Sequence, residues 1–416
     1  MISEEVRKDF NSRIRRVKDA IELREPDCVP VIPVMEAFPI YYAGGTIKEI
    51  LYDYRKGEAW FDKFFADFKP DLGWDPVMFF PAQFMELLGL NWFRWPGNQI
   101  EEPNAMYQFI EGEYMKQDEY DEATFDPTNF MLTKWMPRSF KHLQGLKKLY
   151  FRNSMWLGFL GTFSVFSDPE VVDALERSMK AAKILNGWFE YIAAYRTKME
   201  EQFGIPVAYA GFAFAPFDMV GDTMRGTVEI LTDMLERPEK LLALIDKVTE
   251  FAIEDQIRNA KPTGRPWVWF WLHKGVDEFM SNAQYARFYW PSLRRYMLAL
   301  IDAGLTPVIY AEGNYHSRLE HLKDIPKGKV LYDFEGMDMT KAKKALGDRA
   351  CIAGNLPNTL LSFGKKHEVV DATKHLIDTC ASGGGFMLDT SALIDDAKPE
   401  NVMAMFETAR TYGCRR

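Results

Sequence analysis

The sequence predicts an α/β fold, a closed (β/α)8 TIM barrel carrying a helical insertion after its second strand. Three observations lead there. Eight short apolar runs, rich in β-branched and aromatic residues, recur along the chain. From residue 206 onward each run is followed by apolar residues at helical spacing, the alternation that builds a parallel sheet with helices outside it. Between the second and third runs lies a surplus of roughly 100 residues, too long for a loop without structure of its own. A doubly wound sheet is the alternative architecture, but it usually shows a glycine-rich first strand-to-helix turn, and none is present.

The first strand is expected at 28–35 (CVPVIPVM) and the second at 71–80 (DLGWDPVMFF). The insertion, about residues 83–204, holds a long helix that opens at Ser167-Asp168-Pro169 and closes at Gly204. Ser or Asp is a capping residue there, and proline fits the first turn. The third strand is 206–214 (PVAYAGFAF). Its helix has Pro238 near the first turn and Leu241, Leu242, Ile245, Val248 and Phe251 on one face. The fourth strand, 267–272 (WVWFWL), precedes a helix at 284–303 that stops at Gly304. The fifth, 307–310 (PVIY), precedes a short helix at 317–322. The sixth, 329–334 (KVLYDF), precedes one at 340–346 with Gly347 as its stop. The seventh, 350–354, and eighth, 385–389, lead into helices at 367–381 and 399–412. With no Gly/Ser linker, repeat or charge block, residues 1–416 read as one barrel domain.

Composition narrows the function. Hydrophobic residues are 47% and charged ones 27%, an ordinary globular balance that excludes disordered and low-complexity classes. Lys+Arg 51 against Asp+Glu 60 leaves a net charge of −9 with no basic stripe, so neither nucleic acid nor an anionic membrane is the expected partner. The longest uncharged run, 153–167, is too short for a bilayer span and reads as a buried helix or loop. The charged start MISEEVRKDF has no apolar signal region, so a cytoplasmic location is expected. Cys28, Cys351, Cys380 and Cys414 show no CxxC-like spacing, which predicts reduced thiols and no disulfide. The 11 Trp and 21 Met either fill a large core or line a pocket for a flat apolar substrate.

Barrel active sites lie at the C-terminal ends of the strands. The residues just past them are Glu36, Asp75, Asp218, His273, Glu312 with His316, Glu335, Asn355 and Asp389. His273 is a hydrogen-bonded loop histidine or else a general acid or metal ligand. Glu312 pairs with a loop arginine such as Arg318 or faces the pocket. Asp389 caps the next turn or joins the chemistry. These three are the candidate catalytic residues, and His273 with Glu312, joined by Asp389, is the candidate metal set, with zinc as the metal. Glu36, Asp75, Tyr310, His316, Glu335 and Asn355 are the candidate substrate contacts. His316 lies four residues after Glu312, but Gly313-Asn314 intervene, so a loop rather than a helical ligand pair is expected. Asp218 and Arg225 read as structural, pairing with each other or capping a helix. There is no GxSxG, HExxH or phosphate loop.

Several stretches carry a resemblance: DAGLTPVIYAEGNYHSRLEHL, DMTKAKKALGDRACIAGNLPNTLL, GGGFMLDTSALIDDAKPENVMAMFETARTYG and APFDMVGDTMRGTVEILTDMLERPEKL. They resemble the uroporphyrinogen decarboxylase superfamily over 205–413, with little likeness in the insertion. That superfamily holds decarboxylases of haem synthesis and methyltransferases that work with corrinoid proteins. The decarboxylases carry an arginine-rich stretch near the N-terminus, where this chain has MEAFPIYYAGG with Glu36; a substrate with many carboxylates needs basic partners. The zinc methyltransferases carry a His-x-Cys pair and a later Cys, whose places are taken here by Tyr310, Glu312 and roughly Ser391. The resemblance is nearest to a third branch, corrinoid-dependent methyltransferases that demethylate small donors such as aryl methyl ethers. It implies a small aromatic methyl donor, a cobalamin carried on a partner corrinoid protein, and a monomer or homodimer. A decarboxylase acting on a porphyrin-like or other aromatic acid is the alternative, and a non-catalytic binding barrel the third reading.

Overall fold

In this computed structural model, residues 3–149, 151 and 157–414 are described. Six of the expected strands form one parallel sheet in sequence order: Gly211–Phe214, Trp267–Leu272, Thr306–Ala311, Leu331–Phe334, Cys351–Ala353 and Phe386–Met387. Backbone hydrogen bonds continue it around a ring. Ile32 N donates to Leu388 O (3.0 Å) and Leu388 N to Pro30 O (2.8 Å), which sets segment 29–35 against the eighth strand. Asp71 N donates to Val31 O, Gly73 N to Pro206 O and Ala208 N to Gly73 O, each at 2.9 Å. Segments 29–35 and 71–74 thus fill the gap between the eighth strand and the third, and the barrel has its eight positions.

Those two segments are irregular for a physical reason. Pro30 and Pro33 have no N–H to give a ladder, so pairing at 29–35 is reduced to isolated bridges. The second strand is shorter than the expected 71–80, because Pro76 opens a 3-10 turn, Pro76–Met78, capped by Asp75 through Val77 N (3.0 Å). The later helices stand where the apolar spacing puts them: Pro238–Ala260, Trp290–Asp302, Met339–Leu346, Lys366–Cys380 and Pro399–Tyr412. Inside the barrel Trp74 packs on Trp269 with centroids 4.6 Å apart, and Trp271 on Tyr310 at 4.9 Å.

The insertion is dominated by the 34-residue helix Pro169–Gln202, capped by Asp168 through Glu170 N. At 1.5 Å per residue it is about 50 Å long. Its C-terminal end meets the start of the third strand, and Arg196 reaches Asp75 at the barrel mouth. Its N-terminal turns belong to a small core of their own, with Leu143, Leu146, Val171 and Ala174 fully or almost fully buried. Of the uncharged run 153–167, residues 153–156 lie outside the described residues. The rest is not buried as expected: Leu157 is 66% and Phe163 68% exposed, because the small core is filled by other residues.

Contrary to the reduced state expected from their spacing, the cysteines are not all free thiols. Cys28 and Cys414 form a disulfide, while Cys351 and Cys380 are buried free thiols. Ring closure is what brings the pair together: Val29 N donates to Gly413 O at 2.9 Å, so the first barrel segment runs beside the end of the chain. Partners 386 residues apart leave no local spacing to read. Among the described residues no helix is long and apolar enough to cross a membrane.

Candidate active site

The third strand leads into a short helix, Pro216–Val220, which runs directly into a π-helical turn, Gly221–Arg225. One helical turn apart, Asp218 and Asp222 then stand over the end of the fourth strand. Asp218 is fully buried and accepts hydrogen bonds from the backbone N–H of His273 and of Lys274, both 3.0 Å, and from the Tyr289 hydroxyl at 2.6 Å. Asp222 accepts from His273 Nδ1 at 2.6 Å and from the Lys274 ammonium. One carboxylate therefore holds the backbone of the His273-Lys274 dipeptide and the other holds its side chains. Burying two charges is costly unless each is hydrogen-bonded, and here each is.

This cradle sets the state of His273. Burial alone would lower its pKa; the hydrogen bond to Asp222 and the charges of Asp218, Asp222 and Glu312 outweigh burial and lift it to about 9. His273 is therefore an imidazolium at neutral pH, with Nδ1 committed and Nε2 facing Glu312 Oε1 at 3.7 Å. That separation exceeds a hydrogen bond, so the Nε2 proton is not committed to Glu312. Glu312 ends the fifth strand, and Gly313, at φ +81°, turns the chain immediately after it. Gly313 N donates to Glu335 Oε2 at 2.6 Å, fixing the next carboxylate alongside. Burial, with Glu335, Asp218 and Asp222 nearby, outweighs the charge of His273 and pushes Glu312 up to about 7.

On the other side of the mouth the insertion reaches in. The Tyr107 hydroxyl donates to Glu36 Oε1 at 2.7 Å. Burial and the neighbouring Asp395 push Glu36 up to about 7. Below the mouth, Asp389 Oδ1 accepts from Val34 N (3.2 Å) and Thr390 N (2.6 Å), so the capping reading of Asp389 holds for one oxygen. Its Oδ2, both oxygens of Asp333 and the Tyr310 hydroxyl are buried without a hydrogen-bond partner. Burial and the adjoining Asp389 raise Asp333 far above the usual carboxylate range, and burial lifts Asp389 to about 6. A proton shared by the two carboxyls supplies one of these oxygens with a donor.

The structure thus gathers His273, Glu312, Glu335 and Glu36 at one mouth, with Tyr310 and Asp389 beneath. Other expected site residues are engaged elsewhere. Asp75 is locked by Arg196 Nε (2.6 Å) and the Tyr209 hydroxyl (2.7 Å). His316 is held in the rim, its Nδ1 on Asn314 and its Nε2 accepting from Asp338 N at 3.1 Å, which leaves no ring nitrogen for a substrate. Asn355 donates to Met337 O (2.7 Å) and Glu335 O (3.3 Å), so it supports the Glu335 loop. Arg318 does not touch Glu312; it binds Asp277 and the carbonyls of Gly275 and Val276. Asp218 and Arg225 do not pair with each other: Arg225 bonds Asp233 and Glu113, both at 2.6 Å. Reading strand ends missed Asp222, Lys274, Tyr107 and Asp333. Only Asp222 had a local signal, its i+4 spacing from Asp218 in APFDMVGDTMRG.

Of the expected metal set, His273 Nε2 and Glu312 face each other at the mouth while Asp389 lies below it, and among the described residues no His, Cys, Asp and Glu are grouped in threes as a catalytic zinc requires.

Comparison with known proteins agrees with the architecture. A solved methyltransferase from Methanosarcina mazei superposes with a TM-score of 0.62, covering 95% of this chain and 98% of that one at 14% identity; what is shared at that identity is the fold. A uroporphyrinogen decarboxylase from Syntrophotalea carbinolica is 25% identical over 205 residues, 47% of this chain and 57% of that protein, so the match spans little more than half of the relative. The family model for uroporphyrinogen decarboxylase (URO-D) matches residues 162–412, more than half of the chain, and takes in the third to eighth strands with their mouth residues. On that match, the chain belongs to the uroporphyrinogen decarboxylase family.

Proposed function

We propose that this family member is a methyltransferase that takes the methyl group of a small aromatic methyl ether and passes it to a corrinoid held by a partner protein. The observation that supports this reading most is the imidazolium of His273, held by Asp222, with its free Nε2 beside Glu312 at the mouth. Displacement at an ether methyl expels a phenolate, a poor leaving group that needs a proton. The acid should have a pKa near that of the oxygen it protonates; phenols lie near 10, and His273 at about 9 is matched to that task.

The corrinoid, as methyl acceptor, supplies the electron pair that forms the new bond to carbon. The residues of the chain do the rest. The ether oxygen is placed within hydrogen-bond reach of His273 Nε2, on the side of the ring that Glu312 leaves open. As the carbon–oxygen bond breaks, its electron pair stays on oxygen and the Nε2 proton moves to it. The products are a phenol and a neutral His273, which Asp222 keeps in orientation through Nδ1. Glu312, poised near neutrality, returns a proton to Nε2 from solvent. The aromatic rings below the mouth, Trp271 and Tyr310, keep water from the reacting carbon.

The decarboxylase alternative meets an electrostatic obstacle. A porphyrinogen brings many carboxylates to a mouth that already holds Glu36, Asp395, Glu312 and Glu335, and among the described residues no arginine hydrogen-bonds any of these four. The test is direct: the purified protein is mixed under anaerobic conditions with cob(I)alamin and 2-methoxyphenol, following loss of the cob(I)alamin absorbance and release of catechol. Stoichiometric methyl transfer is expected. Turnover of uroporphyrinogen with no methyl transfer from any aryl ether would overturn the reading.

A further inference from the structure

Buried carboxylates in this chain have their charge or their hydrogen bonds answered from within. Asp71 pairs with Arg16, Asp75 with Arg196, Glu119 with Arg138 and Asp233 with Arg225. Asp218 has no such pair but accepts three hydrogen bonds, and Asp333 and Asp389 lie together with a proton between them. Glu36 is the exception. It is 8% exposed, and the Tyr107 hydroxyl on Oε1 is the one donor to its side chain among the described residues. Its Oε2 has no donor there, and unlike the orphaned oxygens of Asp333 it is reached by solvent at the mouth. A buried carboxylate left in this state is costly unless a cation comes to it.

What surrounds Glu36 deepens the deficit. Phe38 N donates to Ile394 O at 3.3 Å and Ala37 N to Asp395 Oδ1 at 2.9 Å, which seats a second carboxylate beside the first. Among the described residues no Lys, Arg or His pairs with Asp395 either. The charges that bear on Glu36 are those of Asp395 and Glu312, both acidic. A neutral neighbour registers the same field: burial, then Asp395, Asp396 and Glu36, push the Tyr41 phenol up to about 12. The cations of the mouth, His273 and Lys274, are both held by Asp222.

We propose that the methyl donor is a cation, an aryl methyl ether whose ring bears a short ammonium arm, bound with the ammonium at Glu36 and Asp395 and the methoxy oxygen at His273 Nε2. The proposal deepens the methyl-transfer reading and rests on it for the use made of the ligand. The reach is that of one small molecule. Charges act on one another's titration mainly within about 4–6 Å. Glu312 acts on Glu36 and stands 3.7 Å from His273 Nε2, so the two ends are separated by the scale of one ring with its arm. The ammonium donates to the open Oε2 of Glu36, and the Tyr107 hydroxyl, from the insertion, holds the other oxygen in place.

The test compares three probes by titration calorimetry at neutral pH: 4-methoxybenzylamine, 4-methoxybenzyl alcohol and 4-methoxybenzoate. They share the ring and the ether and differ in the charge of the arm. The ammonium should bind about 10- to 100-fold tighter than the alcohol, the scale of a hydrogen bond to a charged group. The carboxylate should bind weakest, since like charges meet. Glu36→Gln keeps an oxygen for the Tyr107 hydroxyl, and Asp395→Asn keeps one for Ala37 N at a half-buried position. Each should cut the preference for the ammonium over the alcohol by about 10-fold. Equal affinities for ammonium and alcohol would overturn the proposal, as would a preference left unchanged in both variants. The same three probes are then offered as methyl donors to cob(I)alamin. Transfer from the alcohol as efficient as from the ammonium would sink this inference and leave the function standing; preferential binding of the ammonium with no methyl transfer from any of the three would do the reverse.

Discussion

Asp222→Asn is the most informative single change, because it alters one charge and nearly nothing of the shape. In the wild-type protein His273 is lifted from 6.5 to about 9 against the pull of burial, and the hydrogen bond it donates to Asp222 is the largest of the raising influences. At 1.36 kcal/mol per unit the whole shift corresponds to about 3 kcal/mol, which shrinks to roughly 1–2 kcal/mol once screening at a one-third-exposed ring is allowed for. Asparagine still accepts the Nδ1 hydrogen bond but lacks the charge, and it leaves the Lys274 ammonium unneutralised next to the ring. His273 should therefore titrate about 1 unit or more lower. Ring carbon–proton spectra across pH read this directly among six histidines, with His273→Gln assigning the signal. The alkaline limb of kcat/KM should move down with it, since the acid is lost at lower pH. Stability gives an independent sign. A histidine raised in the folded state contributes stability that is fully present below 6.5 and lost as pH rises through about 9, so the variant should show a flatter decline over that window. A wild-type His273 titrating near 6.5, or an unmoved titration in Asp222→Asn, would refute the cradle argument.

Further outcomes follow from neighbouring groups. Glu312→Gln should cut methyl transfer by roughly 10²-fold or more while leaving the melting temperature unlowered; full activity with a lowered melting temperature would defeat its catalytic assignment. Asp333→Asn gives the orphaned Asp389 oxygen an N–H donor. Wild-type stability falls as pH rises from 3.8 through the raised folded values of this pair, so the variant should melt above wild type at pH 8 and lose that advantage near pH 4, as read by calorimetry. Denatured but unreduced protein should show two reactive thiols, Cys351 and Cys380, by mass spectrometry after alkylation, and four only after reduction. Breaking the Cys28–Cys414 bridge should cost about 2–4 kcal/mol in stability, measured by denaturant titration with and without reductant.

Most of the barrel was legible because its parts are locally coded. Apolar face spacing, Pro238 at a helix start and Gly304 at a helix end mark the later helices to within a few residues. What escaped was whatever depends on closure. Pro30 and Pro33 make the first strand apolar in composition yet nearly free of ladder bonds, and Pro76 cuts the second strand short. The disulfide is the extreme case, since Cys28 and Cys414 become neighbours only when the first segment and the chain end lie side by side. The exposed apolar stretch after Leu157 failed for a different reason: an uncharged run predicts burial only if some other surface covers it, and among the described residues Val165 packs on the small core while Leu157, Leu160 and Phe163 stay exposed.

The site shows the same division at finer scale. Residue type at a strand end was enough to find the rim, because an ionisable group there is either in water or in the mouth. It was not enough to assign roles, because a role depends on which partner arrives from elsewhere. Glu36 and Asp75 end adjacent strands and are both almost fully buried. Glu36 receives only a neutral hydroxyl, from Tyr107, so burial pushes it up and leaves it able to take or give a proton near neutrality. Asp75 receives the Arg196 guanidinium, so its charge is committed to holding the long helix against the barrel. Both partners come from the insertion: Arg196 lies within the stretch matched by the family model, and Tyr107 lies before it. Insertion residues therefore decide which of these two mouth carboxylates keeps free chemistry. Specificity in such a barrel resides less in the strand-end residues than in what is folded over them.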